Sequence, residues 1–229
     1  MLPSSEIVAR LDSVRDLVER ACSRAHRGAS GVSVVLASKT QPPEAIEAAY
    51  RRGARDFGEN YVQEALAKRE ATAHLADIRW HMIGHLQSNK AKAAVSIFDL
   101  IQTLDSDRLV RAIAQAAAGP NKKVLIEVNI GGEASKKGVA PDNVERLIDG
   151  SRDFVDIRGL MTIPPPSNNW TEARRHFIRM RELRDRIAAS TGLALSELSM
   201  GMSDDFEIAI EEGATIVRIG RAVFGERVR

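Results

Sequence analysis

The stretch VSVVLASK (32–39), with PPEAIEAAYRRG (42–53) directly behind it, decides the fold. Val34 to Ala37 form a short apolar run bounded by turn residues, the pattern of a buried strand. The second segment opens on two prolines and closes on a glycine, as helices do. A buried strand followed by one helix is a unit that predicts parallel pairing, because only a crossover of that length returns the chain to the same sheet edge. Lys39 stands where the strand surfaces. A lysine at a strand end is most often simply solvated, but one at a barrel mouth has another option, to lose its proton and act as a nucleophile.

The unit recurs outward from there. ARDFGEN (54–60), IRWHMIG (78–84), DLIQTL (99–104), KVLIEVNI (123–130), VDIRGLMTI (155–163), LSELSM (195–200) and TIVRIG (215–220) read as strands. Helical segments 61–75, 88–97, 106–119, 141–151, 170–190 and 204–213 separate them, and RAVFGERV closes the chain as a short turn. Ahead of the first strand, Ile7, Leu11, Val14, Leu17, Val18 and Ala21 follow the 3.6 period of a helix that Gly28 can end. Eight strands, each with a helical segment, predict a single-domain (β/α)8 TIM barrel with an extra N-terminal helix. About 250 residues is usual for that fold, and this chain has 229. An open doubly wound sheet would use the same alternation, but it usually carries G-x-G-x-x-G after the first strand, and SKTQPP is not that. The repeated units consume the chain, so residues 1–229 are expected to form one barrel domain, with 1–28 packing on it. IPPPSNNW (163–170) is then a loop within it.

Composition narrows the function classes. A 44% apolar and 28% charged chain is ordinary for a soluble globular protein. A net charge of +2, with no basic run interleaved with aromatics, gives no footprint for nucleic acid. No apolar run approaches the ~20 residues that span a bilayer, and MLPSSEIVARLDSV lacks the pattern of a secretory signal. Cys22 is the only cysteine, which excludes an internal disulfide and a cysteine-based zinc site. A cytoplasmic protein is the expectation.

In such a barrel the chemistry gathers at the carboxyl ends of the strands. Those ends carry Lys39, Asn60, Gly84–His85, Asn129, Thr162, Met200–Ser203 and Arg218–Gly220. The loops after strands 7 and 8 of these barrels often hold a phosphate on backbone amides. Here those loops are SMGMSDD and RIGRA, with Ser203 or Asp204 as helix cap and Glu207 completing a capping box for Asp204. Asp204 and Asp205 must then point away from any anion. His81 and His85 are four apart, but on a strand that is roughly 13 Å, too far to share an ion. No metal site is expected. P-loop and serine-hydrolase signatures are also missing.

ASKTQP, FGENYVQE, WHMIGHLQSNK, EVNIGGEASKKG, RGLMTIP and LSMGMSDDFEIAIEEGATIVRIGRAVFG together resemble the pyridoxal phosphate homeostasis protein family, also called the YggS/PROSC family. The match runs from about residue 30 to 225. The resemblance implies a barrel similar to the amino-terminal domain of alanine racemase that binds pyridoxal 5′-phosphate (PLP) without established turnover and serves PLP homeostasis. It implies Lys39 as the residue forming the internal aldimine and Asn60 as a pocket residue near the ring. Ser203 and the amides around Gly220 and Arg221 become the phosphate cradle, and Arg218 faces the pyridine nitrogen. Ile83, Thr162, Met200 and Gly201 would shape the pocket. Many family members have threonine or serine where this chain has Arg221, which loses a hydroxyl contact. A guanidinium there either replaces it or swings into solvent.

A cationic arginine beside the pyridine nitrogen disfavours protonating it and weakens the ring as an electron sink. That suits a carrier rather than an enzyme. The alternative is a PLP-dependent amino-acid racemase, since alanine racemases use a similar arginine, with Tyr61 the candidate for a second base. A Schiff-base aldolase acting on a sugar phosphate is a further alternative. PLP and PLP-dependent apoenzymes are the expected partners, nucleic acid and membrane are not, and a monomer is expected.

Overall fold

The computed structural model describes residues 2–133, 136–165 and 169–226. The glycine loop of EASKK, the loop 163–170 and the closing turn lie partly outside the described residues. Helix α1 (Ser4–Arg24) is followed by eight strands: β1 (Ser33–Ala37), β2 (Asp56–Glu59), β3 (Arg79–Met82), β4 (Leu100–Leu104), β5 (Lys123–Glu127), β6 (Asp156–Met161), β7 (Glu197–Met202) and β8 (Ile216–Ile219). Between them run α2 (Pro43–Arg51), α3 (Val62–Ala71), α4 (Ala91–Ile97), α5 (Asp107–Ala116), α6 (Val144–Asp149), α7 (Trp170–Thr191) and α8 (Phe206–Glu211), and α9 (Arg221–Phe224) follows β8. All eight strands pair in parallel in chain order, and β1 returns to β8 to close the barrel. The expected α/β barrel with a leading helix is therefore the fold.

Strand alternation sorts the side chains into two sets. Leu36, Phe57, Trp80, Met82, Ile101, Val124, Ile126, Leu160, Leu198, Val217 and Ile219 face the helices in one continuous core. Val35, Leu100, Leu125, Met161 and Ile216 form a second, smaller apolar cluster inside the barrel. Each fully buried aliphatic side chain contributes roughly 1.5–3 kcal/mol, so both sets resist any slip in register. The inner face is not wholly apolar. Asp56, His81, Gln102, Ser199 and Arg218 are buried polar residues beside the small cluster.

Helix ends depart from the sequence reading at two places. Helix α1 stops at Arg24, and His26 takes the left-handed turn at φ 52, while Gly28 has an ordinary φ of −74. Neither Ser203 nor Asp204 caps α8. The N-cap is Asp205, and no side chain caps the helix. The reason is local. Asp205 turns its Oδ1 back to accept the Met202 amide at 2.7 Å, and Ser203 accepts a bond from a different helix. Strand β5 also ends at Glu127, three residues before the expected limit. Val139 returns along its exit, donating to the Glu127 carbonyl at 2.7 Å and accepting from the Asn129 amide at 2.9 Å.

Candidate functional site

Lys39 lies two residues beyond Ala37 on the inward parity of β1, half-buried, and Thr40 after it adopts φ 65. A buried ion cluster holds this turn. The Lys68 ammonium, on α3, donates to the Ser38 carbonyl at 2.6 Å, to Glu59 Oε1 at 2.8 Å and to Glu64 Oε1 at 2.6 Å. Ser38 Oγ donates to Glu59 Oε1 at 2.6 Å, and the Thr40 amide donates to Glu64. Glu59 and Ser38 are fully buried. Burial pushes the Glu59 carboxyl up from its ordinary range, against the bonds from Lys68 and Ser38. The sequence reading missed this cluster. Its signal was present in GENYVQEALAK, where Glu64 and Lys68 stand four apart on one helix face.

Asn60 follows Glu59 on the inward parity of β2 and is half-buried. The exit of β3 is pressed against it: a Cβ on Gly84 would come within 2.4 Å of the Asn60 carbonyl oxygen. Asn60, Tyr61, Gly84, His85 and Lys90 line a cleft of about 390 Å3 at this edge of the mouth. Ile83 is buried above Gly58, where any Cβ would fall 2.8 Å from Ile83 Cδ1. His81 is buried and His85 is exposed, 3.4 Å from Asp105.

On β8, the strand paired with β1, Arg218 is buried. Its Nη1 donates to Ser199 Oγ at 2.6 Å and its Nη2 to the Thr162 carbonyl at 2.7 Å. Burial pulls its pKa down to about 10, which leaves it cationic at neutral pH. The Thr162 hydroxyl donates to the Val128 carbonyl at 2.7 Å, so this residue meets Arg218 through its backbone. Met200 packs its side chain into the outer core and can serve the mouth only through its backbone. Asn129 braces the following loop by donating to the Glu133 carbonyl at 2.8 Å.

The exits of β7 and β8 are tied together. The Ala222 amide, in the first turn of α9, donates to Ser203 Oγ at 3.2 Å. Gly201 has φ 92, and a Cβ there would lie 2.5 Å from that of Ala209. Gly220 opens α9 with only Ala37 near its missing Cβ, at 3.5 Å. Arg221 is exposed and pairs with Asp204 and with Glu226 at 3.3 Å, so its guanidinium swings outward. Asp204 is thereby held at the surface and Asp205 is folded onto Met202.

Glu127, at the inward end of β5, is a site residue that the sequence reading missed. It is 7% exposed and its Oε2 has no hydrogen-bond partner. Burial, then Asp105, pushes its carboxyl up to about 7, against Arg218 and Lys137. Charged residues in apolar strands are the signal that finds such groups.

An amine on β1, an arginine on β8 and a glycine-rich tie between the last two exits define a class: parallel barrels of the alanine racemase N-terminal type. The family described as "Alanine racemase, N-terminal domain" matches residues 10–228. The chain is 47% identical over 222 residues to the pyridoxal phosphate homeostasis protein of Aquifex aeolicus, covering 95% of this chain and 97% of that one. It is 41% identical over 229 residues to that of Pseudomonas aeruginosa, covering 97% and 96%. The PipY protein of Synechococcus elongatus, solved with PLP bound, superposes with a TM-score of 0.81 at 36% identity, over 96% of this chain and all of that one. The chain belongs to the pyridoxal phosphate homeostasis protein family.

Proposed function

We propose that this protein binds PLP at the carboxyl end of its barrel, as a Schiff base with Lys39, and carries it without catalytic turnover. The whole barrel, with α1 packed against it, acts as one domain in this reading. The observation that carries the reading is the inward parity of Lys39 at the end of β1, the strand paired with the one that carries the buried, cationic Arg218. PLP supplies an aldehyde that an amine traps reversibly and a dianionic phosphate. Lys39 meets the first need. The start of α9, where the Ala222 amide and Ser203 Oγ would trade their mutual bond for the phosphate beside the open Gly220, suits the second, since amides at a helix start favour anions. Asp204 and Asp205 are both turned onto other partners, which keeps two negative charges off that cradle.

Arg218 supports the carrier reading. It can only donate hydrogen bonds, so a ring nitrogen facing it serves as acceptor and stays unprotonated. Asn60, Ile83 and the backbones of Thr162, Met200 and Gly201 enclose the ring, and Arg221 stays outside. The coherent setting is the reducing cytoplasm, with apoenzymes that need PLP as recipients and the protein acting as a monomer.

The test is the visible spectrum of purified protein, with borohydride reduction and mass mapping. The expected result is a yellow protein whose reduced cofactor mass sits on Lys39, and loss of the band in Lys39→Ala. An unchanged band in that variant would move the imine elsewhere. The racemase reading draws on Tyr61, which is 64% exposed at the same cleft. Racemisation of alanine by the wild type that Tyr61→Phe removes would overturn the carrier reading.

A further inference from the structure

Five side chains from five different strands form an unbroken line through the barrel. Arg218 Nη1 donates to Ser199 Oγ at 2.6 Å, and Ser199 Oγ donates to Gln102 Oε1 at 2.6 Å. Gln102 Nε2 lies 3.0 Å from His81 Nδ1, and His81 Nε2 lies 3.0 Å from Asp56 Oδ1. Arg79 closes the far end with paired bonds of 2.7 and 2.6 Å to Asp56. That end opens on a groove of about 340 Å3 under α1, at the opposite face from Lys39, lined by Asp56, Arg79, Arg15 and Arg55.

The line runs in one direction only. Arginine has no acceptor, so Ser199 must receive from it and pass its own single proton to Gln102 Oε1. The Gln102 amide then presents N–H to His81 Nδ1, which must be bare. His81 carries its proton on Nε2 and gives that bond to Asp56. Every dipole thus points its negative end towards Arg218, and the carboxylate at the terminus is held low, at about 2, where desolvation is outweighed by the bonds from His81 and Arg79. In a low-dielectric interior such aligned bonds reinforce one another.

We propose that the chain Ser199–Gln102–His81–Asp56 is a positioning line that fixes the orientation of the Arg218 guanidinium from the opposite face of the barrel. This rests on the proposed PLP site for its purpose, but not for its existence. Protonating His81 at Nδ1 would set two donors face to face and force the Gln102 amide to flip. Ser199 would then receive two donors and lose the acceptor for its own proton. The groups facing His81 are Asp56 on β2, neutral Gln102 on β4 and, through Asp56, Arg79 on its own strand. The sequence carries the signal, because IRWHMIG, DLIQTL and LSELSM each place a polar residue on the inward parity.

Two arms test the line in the full-length chain. In protein without PLP, nitrogen-15 NMR should show His81 as the Nε2–H tautomer and the Arg218 guanidinium protons in slow exchange. Gln102→Leu should speed that exchange by roughly tenfold, the equivalent of one net hydrogen bond. In the second arm PLP is titrated. Gln102→Leu and Ser199→Ala should each weaken PLP by roughly tenfold and displace the pH profile of its visible band, and Ser199→Thr should restore both. An Nδ1–H tautomer, or unchanged Arg218 exchange in Gln102→Leu, overturns the line whatever PLP does. Absence of PLP binding in the wild type overturns the proposed function and leaves the first arm standing. If Gln102→Leu does not fold, the wild-type tautomer and Ser199→Ala decide.

Discussion

Glu127 sits in an environment far from what its type prefers. It is an acidic side chain buried with an unpaired oxygen, and burial with Asp105 holds its pKa at about 7 against an ordinary 4.5. A carboxyl raised in this way binds its proton more tightly in the folded chain than in the unfolded one. Its contribution to stability is full below pH 4.5 and is lost as the pH climbs to about 7. Glu127→Gln removes the titration while keeping the shape. The variant should melt higher than the wild type at pH 8, by up to roughly 3 kcal/mol in stability, and the gap should close towards pH 5. Parallel Tm curves across that range would show that Glu127 does not titrate there. Lys68 gives the opposite case. Lys68→Met leaves Glu59 buried without its cation, and breaking such a pair costs roughly 3–5 kcal/mol. Urea titration should show that loss at pH 7. Adding Glu59→Gln should recover much of it, since two uncharged partners no longer carry an unmatched charge.

At the scale of elements, the strand exits are set by close backbone contact. β3 leaves the barrel so near β2 that only hydrogen fits at Gly84, with the Asn60 carbonyl oxygen 2.4 Å from a would-be Cβ. Gly84→Ala must push the two exits apart, and forced insertions of this size cost roughly 1–3 kcal/mol. Because Asn60 moves with it, PLP affinity should fall together with the urea midpoint. A full loss of stability with unchanged affinity would separate Asn60 from the site. Alternation and length made all eight strands legible, along with Lys39 and Arg218 at their ends. Other features had no local signature. β5 stops early because Val139, twelve residues beyond Glu127, comes back along its exit. The α8 cap shifted because Asp205 turns back locally onto Met202 and because Ser203 bonds to α9, a contact that only the closed barrel creates. Gln102 and Ser199 look like minor exceptions in apolar strands until Arg218 stands beside them.

At the scale of the molecule, a barrel must join its first strand to its last, and β1 and β8 are adjacent only once everything between has folded. α1 reinforces that seam. Its buried face of Ile7, Leu11, Val14, Val18, Ala21 and Cys22 belongs to the outer core. Arg52, just after α2, bonds Asp12, while Arg24 bonds Glu207 and Glu211 of α8 and Arg27 reaches the Ala214 carbonyl ahead of β8. The helix therefore spans from the first unit to the last. The exposed ion pairs contribute little each, so the apolar face carries most of the effect. Leu11 is 1% exposed in that face. Leu11→Ala should cost roughly 2–5 kcal/mol, lost burial plus the cavity left behind. The loss should be uneven. Amide exchange of β1 and β8 should quicken through opening of the seam alone, while β4 and β5 exchange only with global unfolding, as sub-global openings require. With β1 loosened, Lys39 and Arg218 no longer keep a fixed separation, so PLP should bind more weakly in this variant although no mouth residue is changed. Uniform acceleration of exchange across all eight strands would mean that α1 stabilises the barrel as a whole and does not guard its closure.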